Sequence, residues 1–309
     1  MINLRLTVAL LISAMLATTS CTQKENPKSE EELLRVPFTS ALDGQEKDYF
    51  LYLPKGFRDD PSKKWPVMMF LHGNGERGNS KDELDFVLIH GPLYEAWVQR
   101  RDLPFIIISP QLPMFGLDTV GIDYLTNRDR GKIPTRLEAG VPERPTPSKM
   151  QAPMVGAEPV DSLPYVTLPK GWDLIEDDLL HMIQQVLAEY QGDADRVYLT
   201  GLSYGGFGTW IIASRNPELF AAISPIVGWG HPDLMEPIAK AKIPVWAFSG
   251  GRDPVVQKKY FLKGINKLEE LGHPDVRYTI EEDMGHDTWI RVYGGEDLYS
   301  WMLSHTKAR

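Results

Sequence analysis

The chain has 309 residues, of which 42% are hydrophobic and 24% are charged. This balance is typical of a globular protein and excludes a coiled coil or a disordered polymer. The formal net charge is −9 and the basic residues are scattered, which argues against nucleic acid as a partner. Cys21 is the single cysteine, so a disulfide within the chain is excluded.

The N-terminus has the pattern of an export signal. Arg5 precedes an apolar run over 6–17 that is too short to span a bilayer permanently, and small polar residues lead from it to Cys21. We therefore expect residues 1–21 to be a signal peptide. Cys21 resembles the lipidated cysteine of bacterial lipoproteins, although Thr18 stands where such signals prefer leucine. The resemblance implies a periplasmic or cell-surface protein with membrane anchoring through Cys21; an ordinary cleaved signal would leave a soluble secreted protein.

The remaining chain predicts one folded domain behind a tether. Residues 22–36 are polar and predict a flexible tether, so the domain is expected over 37–309. Apolar segments at 38–42 and 49–53 flank the turn-forming pair Asp43-Gly44 and predict an antiparallel hairpin. Further strands are predicted at 67–71, 105–109, 196–200, 221–227, 245–249 and 277–281. Helical segments are predicted over 82–101, with a break near Gly91-Pro92, and helices are predicted at 173–190, 206–215, 257–271 and 297–305.

This alternation of strands and helices predicts an α/β fold. Strands such as 67–71 are apolar at every position, as expected where helices cover both faces of a sheet. Strands that are joined by helical crossovers form a mostly parallel sheet, to which the opening hairpin adds an antiparallel edge.

Residues 113–171 interrupt the alternation. The segment is rich in proline and glycine and has no clear period, and loops of this length are uncommon unless they are functional or disordered. It follows the carboxyl end of a predicted strand, where loops border the ligand crevice of a parallel sheet. We interpret the segment as an insert that acts as a lid or contacts substrate; a passive surface loop is the alternative.

The strongest chemical motif is Gly201-Leu202-Ser203-Tyr204-Gly205. It lies between a predicted strand and a predicted helix, which is the setting of a nucleophile elbow in an α/β-hydrolase. Glycines flank the serine because the sharp turn leaves no room for side chains there. The motif predicts that Ser203 is a catalytic nucleophile, whereas the bland alternative is a glycine-rich turn with an idle serine.

A serine nucleophile needs a base and an acid that orients the base. In this fold both follow the serine along the chain, the acid after a late strand and the histidine in the last loop. Among seven histidines, His286 alone has that position, and Asp253 follows the preceding strand. Asp287 or Asp283 is the fallback for the acid, although their closeness to His286 in sequence gives poor geometry.

Two backbone positions are candidates for an oxyanion hole. The fold supplies one donor from the residue after the nucleophile, here Tyr204, and one from a loop after an early strand, here Asn74 in His72-Gly73-Asn74-Gly75. The glycines of that loop allow main chain to approach a ligand closely. The phosphate-loop pattern G-x-x-x-x-G-K-S/T is absent from the sequence, so nucleotide binding is not supported.

Taken together, the motifs resemble bacterial secreted or lipid-anchored esterases of the dienelactone hydrolase and prolyl-oligopeptidase-like superfamily, often called predicted peptidases. The resemblance spans the chain from Phe38 onward except the insert. It is carried by Leu71-His72-Gly73-Asn74-Gly75-Glu76-Arg77-Gly78, Ser109-Pro110-Gln111, Arg196-Val197-Tyr198-Leu199-Thr200-Gly201-Leu202-Ser203-Tyr204-Gly205-Gly206, Gly250-Gly251-Arg252-Asp253 and Gly285-His286-Asp287-Thr288-Trp289. It implies an α/β-hydrolase fold and ester hydrolysis without a metal or organic cofactor, with Ser203, Asp253 and His286 as the triad and Asn74 and Tyr204 as oxyanion donors.

Four further residues are given roles around this site. Trp229 and Trp289 follow predicted strand ends and are candidates for stacking on a sugar or aromatic acyl group, with core packing as the equal alternative. Glu76 and Arg77 are interpreted as an ion pair that braces the oxyanion loop.

The leading functional hypothesis is an esterase that acts outside the cytoplasm on carbohydrate-linked acyl groups such as acetate or ferulate. A peptidase is the second hypothesis, but no region is long enough for the propeller domain that prolyl-oligopeptidase relatives commonly carry. The third hypothesis is a catalytically inactive surface binding protein. The presence of every triad residue argues against it.

Overall fold

The computed structural model describes residues 28–147, 158, 160–164 and 168–307. The predicted signal peptide over 1–21, with Cys21, and the first part of the predicted tether lie outside these residues. Within them, no helix is long and apolar enough to cross a membrane.

Eight strands of the described chain form one sheet. They are β1 (Glu32–Thr39), β2 (Glu46–Leu53), β3 (Trp65–Leu71), β4 (Ile106–Ser109), β5 (Gly192–Leu202), β6 (Ala222–Ile226), β7 (Val245–Gly250) and β8 (Val276–Glu281). Their order in the sheet is β1-β2-β4-β3-β5-β6-β7-β8. β1 and β2 are antiparallel to their neighbours and the other pairs are parallel. The predicted fold class is therefore confirmed.

The helices lie between these strands and in the insert. The α-helices are α1 (Asp123–Thr126), α2 (Glu176–Glu189), α3 (Tyr204–Arg215), α4 (Met235–Ala241), α5 (Phe261–Glu270), α6 (Trp289–Gly294) and α7 (Asp297–Leu303). Short 3₁₀ helices cover Asn74–Glu76, Leu84–Leu88, Leu117–Thr119, Arg130–Lys132, Trp172–Ile175, Pro232–Leu234 and Lys258–Tyr260, and a π-helical turn covers Tyr94–Val98.

The opening hairpin begins earlier than the sequence suggests. β1 starts at Glu32, which pairs with Leu53, and the register continues to Thr39 opposite Glu46. Residues 32–36 therefore belong to the sheet, and the prediction of a flexible tether through residue 36 is wrong. The reason is that backbone pairing with β2 stabilises a strand whose residues alternate too weakly to be recognised alone.

The helical segments predicted over 82–101 are shorter than expected, a 3₁₀ helix and a π-helical turn, and the break predicted near Gly91-Pro92 lies between them. Gly91 between them has φ +91°, and a Cβ atom there would lie 2.2 Å from the Phe70 ring of β3. The chain thus crosses the sheet too closely for a regular helix to continue. Helices α4 and α6 are absent from the prediction because seven and six residues are too few to show a helical period.

Both faces of the sheet are covered, which explains the apolar runs. Along β3, Val67, Met69 and Leu71 pack into one apolar cluster, while Met68 and Phe70 pack into the other. The first cluster includes side chains of α2, α3, α4 and α5, and the second includes side chains of α6, α7 and the 84–98 segment. This two-sided burial leaves the carboxyl edge of the parallel strands as the open edge of the sheet.

Candidate active site

The proposed catalytic residues meet at that carboxyl edge. Asn74, Ser203, Asp253 and His286 follow the ends of β3, β5, β7 and β8, respectively. Because parallel strands end at one edge of the sheet, residues that are far apart in sequence come together there.

Ser203 occupies the sharp turn between β5 and α3. Its backbone has φ 51° and ψ −111°, a strained conformation for a residue with a side chain. The turn requires glycine two residues later, because a Cβ atom on Gly205 would lie 1.8 Å from the backbone oxygen of Leu71. The local structure is therefore that of a nucleophile elbow.

Gly205→Ala is expected to destabilise the fold by at least about 3 kcal/mol, since the added methyl group meets backbone that cannot move aside. Gly75→Ala is the matched control, because no atom lies within 4 Å of a Cβ atom there; its effect should stay within about 1 kcal/mol. Urea unfolding of both variants measures the difference. Equal stabilities of the two variants would contradict the steric argument.

A chain of hydrogen bonds joins the three triad candidates. His286 Nε2 lies 3.0 Å from Ser203 Oγ, and His286 Nδ1 lies 2.8 Å from Asp253 Oδ2. The structure thus brings together Ser203, His286 and Asp253 in the order that proton transfer through an imidazole requires.

Asp253 is held in place by backbone amides. Its side chain is fully buried, and Oδ1 accepts hydrogen bonds from the backbone N–H groups of Val255 at 2.7 Å and Val256 at 3.0 Å. Asp283, one fallback for the acid, instead pairs with Arg291 on the surface at 2.6 and 2.7 Å. The geometry selects Asp253 as the partner of His286.

The two oxyanion candidates flank Ser203, and their side chains point to other partners. Tyr204 is the first residue of α3, where a backbone N–H has no acceptor within the helix, and its hydroxyl donates to the Lys170 carbonyl at 2.6 Å. Asn74 lies beside the same cavity as Ser203. Its Nδ2 donates to the Tyr124 hydroxyl at 2.8 Å. The role of both backbone amides as oxyanion donors stays a prediction.

A cavity of about 330 Å³ opens over Ser203 and His286. Trp289 lies beside it, as predicted for a substrate-contacting residue, with its ring centre 5.2 Å from that of His286. Trp229 does not line it: only 1% of this residue is exposed, and its ring packs on Phe207 in the core. The prediction of substrate contact by Trp229 is therefore wrong, because the chain after β6 turns beneath α3.

The insert contributes Tyr124 of α1 to the cavity wall. Two arginines of the insert bind residues outside it. Arg128 donates to the Arg77 carbonyl, and Arg136 donates to Glu31 at 2.5 Å. The insert therefore borders the site, as expected of a substrate-contacting segment; its movement as a lid stays a prediction.

Arg77 contacts both oxyanion candidates, Asn74 and Tyr204, and the start of the insert. Its Nε donates to Asn74 Oδ1, its Nη1 donates to the Pro113 carbonyl at 2.6 Å, and its guanidinium lies 4.4 Å from the centre of the Tyr204 ring. The predicted ion pair between Glu76 and Arg77 is wrong, because Arg77 turns toward these groups and Glu76 turns inward.

Glu76 and His90 are cavity residues that sequence reasoning missed. Glu76 is only 5% exposed, and its Oε1 lies 3.7 Å from His90 Nε2 while its Oε2 lies 3.8 Å from His72 Nδ1. The Glu-Arg pair of the loop is a visible signal, but only the 3₁₀ turn over Asn74–Glu76 determines which of the two side chains points inward.

Burial dominates the electrostatics of this loop. It raises the pKa of Glu76 to about 7, although backbone N–H groups of Glu76 and Gly73 oppose the rise. Burial likewise lowers the pKa of His72 to about 3 and that of His90 to about 4. Both histidines are therefore neutral at pH 7, and Glu76 changes its charge near neutrality.

Glu76→Gln is expected to stabilise the protein increasingly as pH rises. Below about pH 4.5 the carboxyl group is protonated in both the folded and the unfolded state; at higher pH the unfolded state loses its proton first, so wild-type stability falls until the pH passes about 7. The free energy of unfolding of the variant relative to wild type should therefore grow by about 3 kcal/mol across this range. Urea unfolding at several pH values tests this, with the exposed Glu236→Gln as control; a difference that is independent of pH would contradict the raised pKa.

Known proteins share the fold and parts of the sequence. The model of the "Prolyl oligopeptidase family" matches residues 173–236. Poly(3-hydroxyalkanoate) depolymerase C of Paucimonas lemoignei is 43% identical over 47 residues, which cover 15% of this chain and 11% of the depolymerase.

Two solved structures extend the similarity over most of the chain. A thermostable esterase has a TM-score of 0.57 and 27% identity over 89% of this chain and 63% of its own. Acylaminoacyl peptidase of Pyrococcus horikoshii has a TM-score of 0.54 and 16% identity over 93% of this chain and 43% of its own. This chain thus spans less than two thirds of each protein described here. The chain therefore has the α/β-hydrolase fold, and its sequence is similar to the prolyl oligopeptidase family over residues 173–236 and to an esterase at 27% identity.

Proposed function

We propose that the protein is a serine hydrolase that cleaves carboxylic esters through an acyl-serine intermediate. The observation that carries the proposal is the hydrogen-bonded chain from Ser203 through His286 to the buried Asp253, at 3.0 and 2.8 Å. Such a chain positions a base to take the proton of the serine hydroxyl while a carboxylate stabilises the imidazolium ion that forms.

The reaction then follows from the geometry. His286 Nε2 accepts the Ser203 proton as Oγ attacks the ester carbonyl, and the backbone N–H groups of Asn74 and Tyr204 donate hydrogen bonds to the carbonyl oxygen as negative charge develops on it. The tetrahedral intermediate collapses, the bond to the alcohol oxygen breaks, and His286 returns the proton to that oxygen. Water, activated by the same histidine, hydrolyses the acyl-serine and releases the carboxylic acid.

Esters of carbohydrates with short or aromatic acids are the proposed substrates. The esterase similarity at 27% identity supports ester cleavage, and the cavity has room for a small acyl group together with part of an alcohol. The indole ring of Trp289 gives this cavity a flat aromatic surface of the kind that packs against sugar or aromatic rings.

A peptidase is the second candidate, supported by the prolyl oligopeptidase family match over residues 173–236. Hydrolysis of p-nitrophenyl acetate and a feruloyl ester, compared with that of a prolyl anilide, separates the two. Ester turnover without anilide turnover is expected, and the reverse would favour the peptidase.

Labelling identifies the nucleophile directly. A fluorophosphonate probe should modify Ser203, as read by peptide mass spectrometry, and the modification should abolish ester turnover in proportion to its extent. Full esterase activity in protein labelled at Ser203, or the absence of turnover of every ester and anilide, would overturn the proposal and favour a binding protein.

Export and anchoring complete the proposal: we place the enzyme at the periplasmic or outer cell surface, held by acyl chains on Cys21. The signal-like residues before Cys21 support this placement. Mass spectrometry of the mature N-terminus should find the acyl chains. An unmodified terminus would instead favour a soluble secreted enzyme.

A further inference from the structure

One wall of the cavity is formed by Glu76, His90 and Trp289, here called the polar wall. Glu76 Oε1 lies 3.7 Å from His90 Nε2, the His90 ring centre lies 5.4 Å from that of Trp289, and the Trp289 ring centre lies 5.2 Å from that of His286. The polar wall therefore continues directly from the base of the triad.

The carboxyl group of Glu76 is buried with backbone N–H groups of its own loop nearby and with no cationic side chain bound to it. The 3.7 Å separation from His90 is too long for a hydrogen bond, and Oε2 has no hydrogen-bond partner of acceptable geometry among the described residues. Arg77, the adjacent cation in sequence, binds Asn74 and Pro113 instead. Because a buried carboxyl oxygen without a hydrogen-bond partner costs stability, a role in bracing the loop does not account for the place of Glu76 in the cavity.

The chemistry of the polar wall suits a hydroxyl group. Neutral His90 offers both a ring N–H donor and a ring nitrogen acceptor, and the Glu76 carboxylate accepts hydrogen bonds. A hydroxyl group both donates and accepts, so one such group next to Oε1 and Nε2 can bind both. An alkyl group in the same place would form no hydrogen bond with Oε1 or Nε2, and an anionic group would be repelled by the carboxylate.

The position of the polar wall indicates which part of the ester it faces. His286 must deliver its proton to the oxygen of the departing alcohol, so the groups that flank His286 lie nearest to that alcohol. Trp289 flanks His286, and His90 and Glu76 continue from it.

We propose that Glu76 and His90 form a subsite for a hydroxyl group on the alcohol part of the ester, with Trp289 against its carbon skeleton. This proposal rests on the proposed ester hydrolysis and adds to it a binding site for a free hydroxyl group of the alcohol, which favours esters of polyhydroxy alcohols. Glu76 and His90 are then specificity-determining residues that act through binding and leave the chemical step to the triad.

A substrate pair tests the subsite. Methyl 6-O-acetylglucoside and its tri-O-methyl derivative carry the acetyl group on the same oxygen, but only the first has free hydroxyl groups. Wild type should prefer the first by at least about tenfold in kcat/KM, mainly through KM. Glu76→Met, which removes both oxygens and keeps the length of the side chain, and His90→Phe, which keeps the ring, should each reduce this preference toward one.

The controls distinguish failure of the subsite proposal from failure of the variants to fold and from failure of the proposed ester hydrolysis. Exposed Glu236→Met should keep the preference, and thermal unfolding of each variant shows whether it is folded. A preference that survives in both Glu76→Met and His90→Phe would show that methyl bulk alone discriminates the substrates, and a wild-type preference near one would also overturn the subsite. Absence of turnover of p-nitrophenyl acetate by wild type would instead overturn the proposed ester hydrolysis.

Discussion

Ser203→Ala is expected to lower kcat for p-nitrophenyl acetate by about 10⁶-fold, the size of loss seen when a triad nucleophile is removed. The reason is that every later step depends on the covalent bond that Ser203 Oγ forms. His286, whose Nε2 lies 3.0 Å from that oxygen, has no hydroxyl group to deprotonate in the variant. Residual catalysis would come from substrate binding and the oxyanion donors alone.

Ser300→Ala is the matched control, because Ser300 is an exposed residue of α7. Its kcat should equal that of wild type. Burst titration with p-nitrophenyl acetate gives the concentration of active sites, which excludes contamination by other esterases as the source of activity. Retention of the burst in Ser203→Ala would show that another residue is acylated.

Asp253→Asn is expected to lower kcat by about 10⁴-fold while the protein stays folded. The carboxylate accepts a hydrogen bond from His286 Nδ1 at 2.8 Å, which keeps the lone pair of Nε2 directed at Ser203. An asparagine can turn its amide N–H₂ group toward Nδ1, which favours the opposite tautomer and removes the base. His286→Ala should lose more activity, because it removes the base itself.

Asp283→Asn provides the control for this acid. Asp283 is also close to His286 in sequence, but it pairs with Arg291 at the surface, and we expect its substitution to leave kcat within about twofold of wild type. Comparable losses in the two variants would mean that general electrostatics, rather than orientation of His286, explains the effect of Asp253.

The elbow and the order of its partners could be predicted because local rules determine them. The glycine at 205 is required by a backbone contact that any nucleophile elbow contains, and positions after successive parallel strands meet at one edge. The continuous apolar run of β3 likewise follows from burial on both faces. Such features depend on neighbours in sequence or on the strand period.

Features that depend on contacts between distant segments could not be predicted. The contacts of the buried Arg77 with the Pro113 carbonyl and the Tyr204 ring join residues that lie far apart along the chain, so the sequence alone does not show them. Trp229 has the same sequence position relative to its strand as an active-site residue would have, yet packing under α3 buries it. The earlier start of β1 also depends on its partner strand.

One end of the insert binds Arg77 of the loop after β3, and the other end binds Tyr204, the residue after the nucleophile. The carbonyl of Pro113, where the insert begins, accepts from Arg77, and the carbonyl of Lys170, near its end, accepts from the Tyr204 hydroxyl; Arg77 in turn lies over the Tyr204 ring. A protein engineer therefore cannot exchange this segment with that of a homologue as an independent cassette. A graft that changes either junction would also move Arg77 or Tyr204 next to the oxyanion donors. Such a graft would therefore change turnover as well as substrate selectivity.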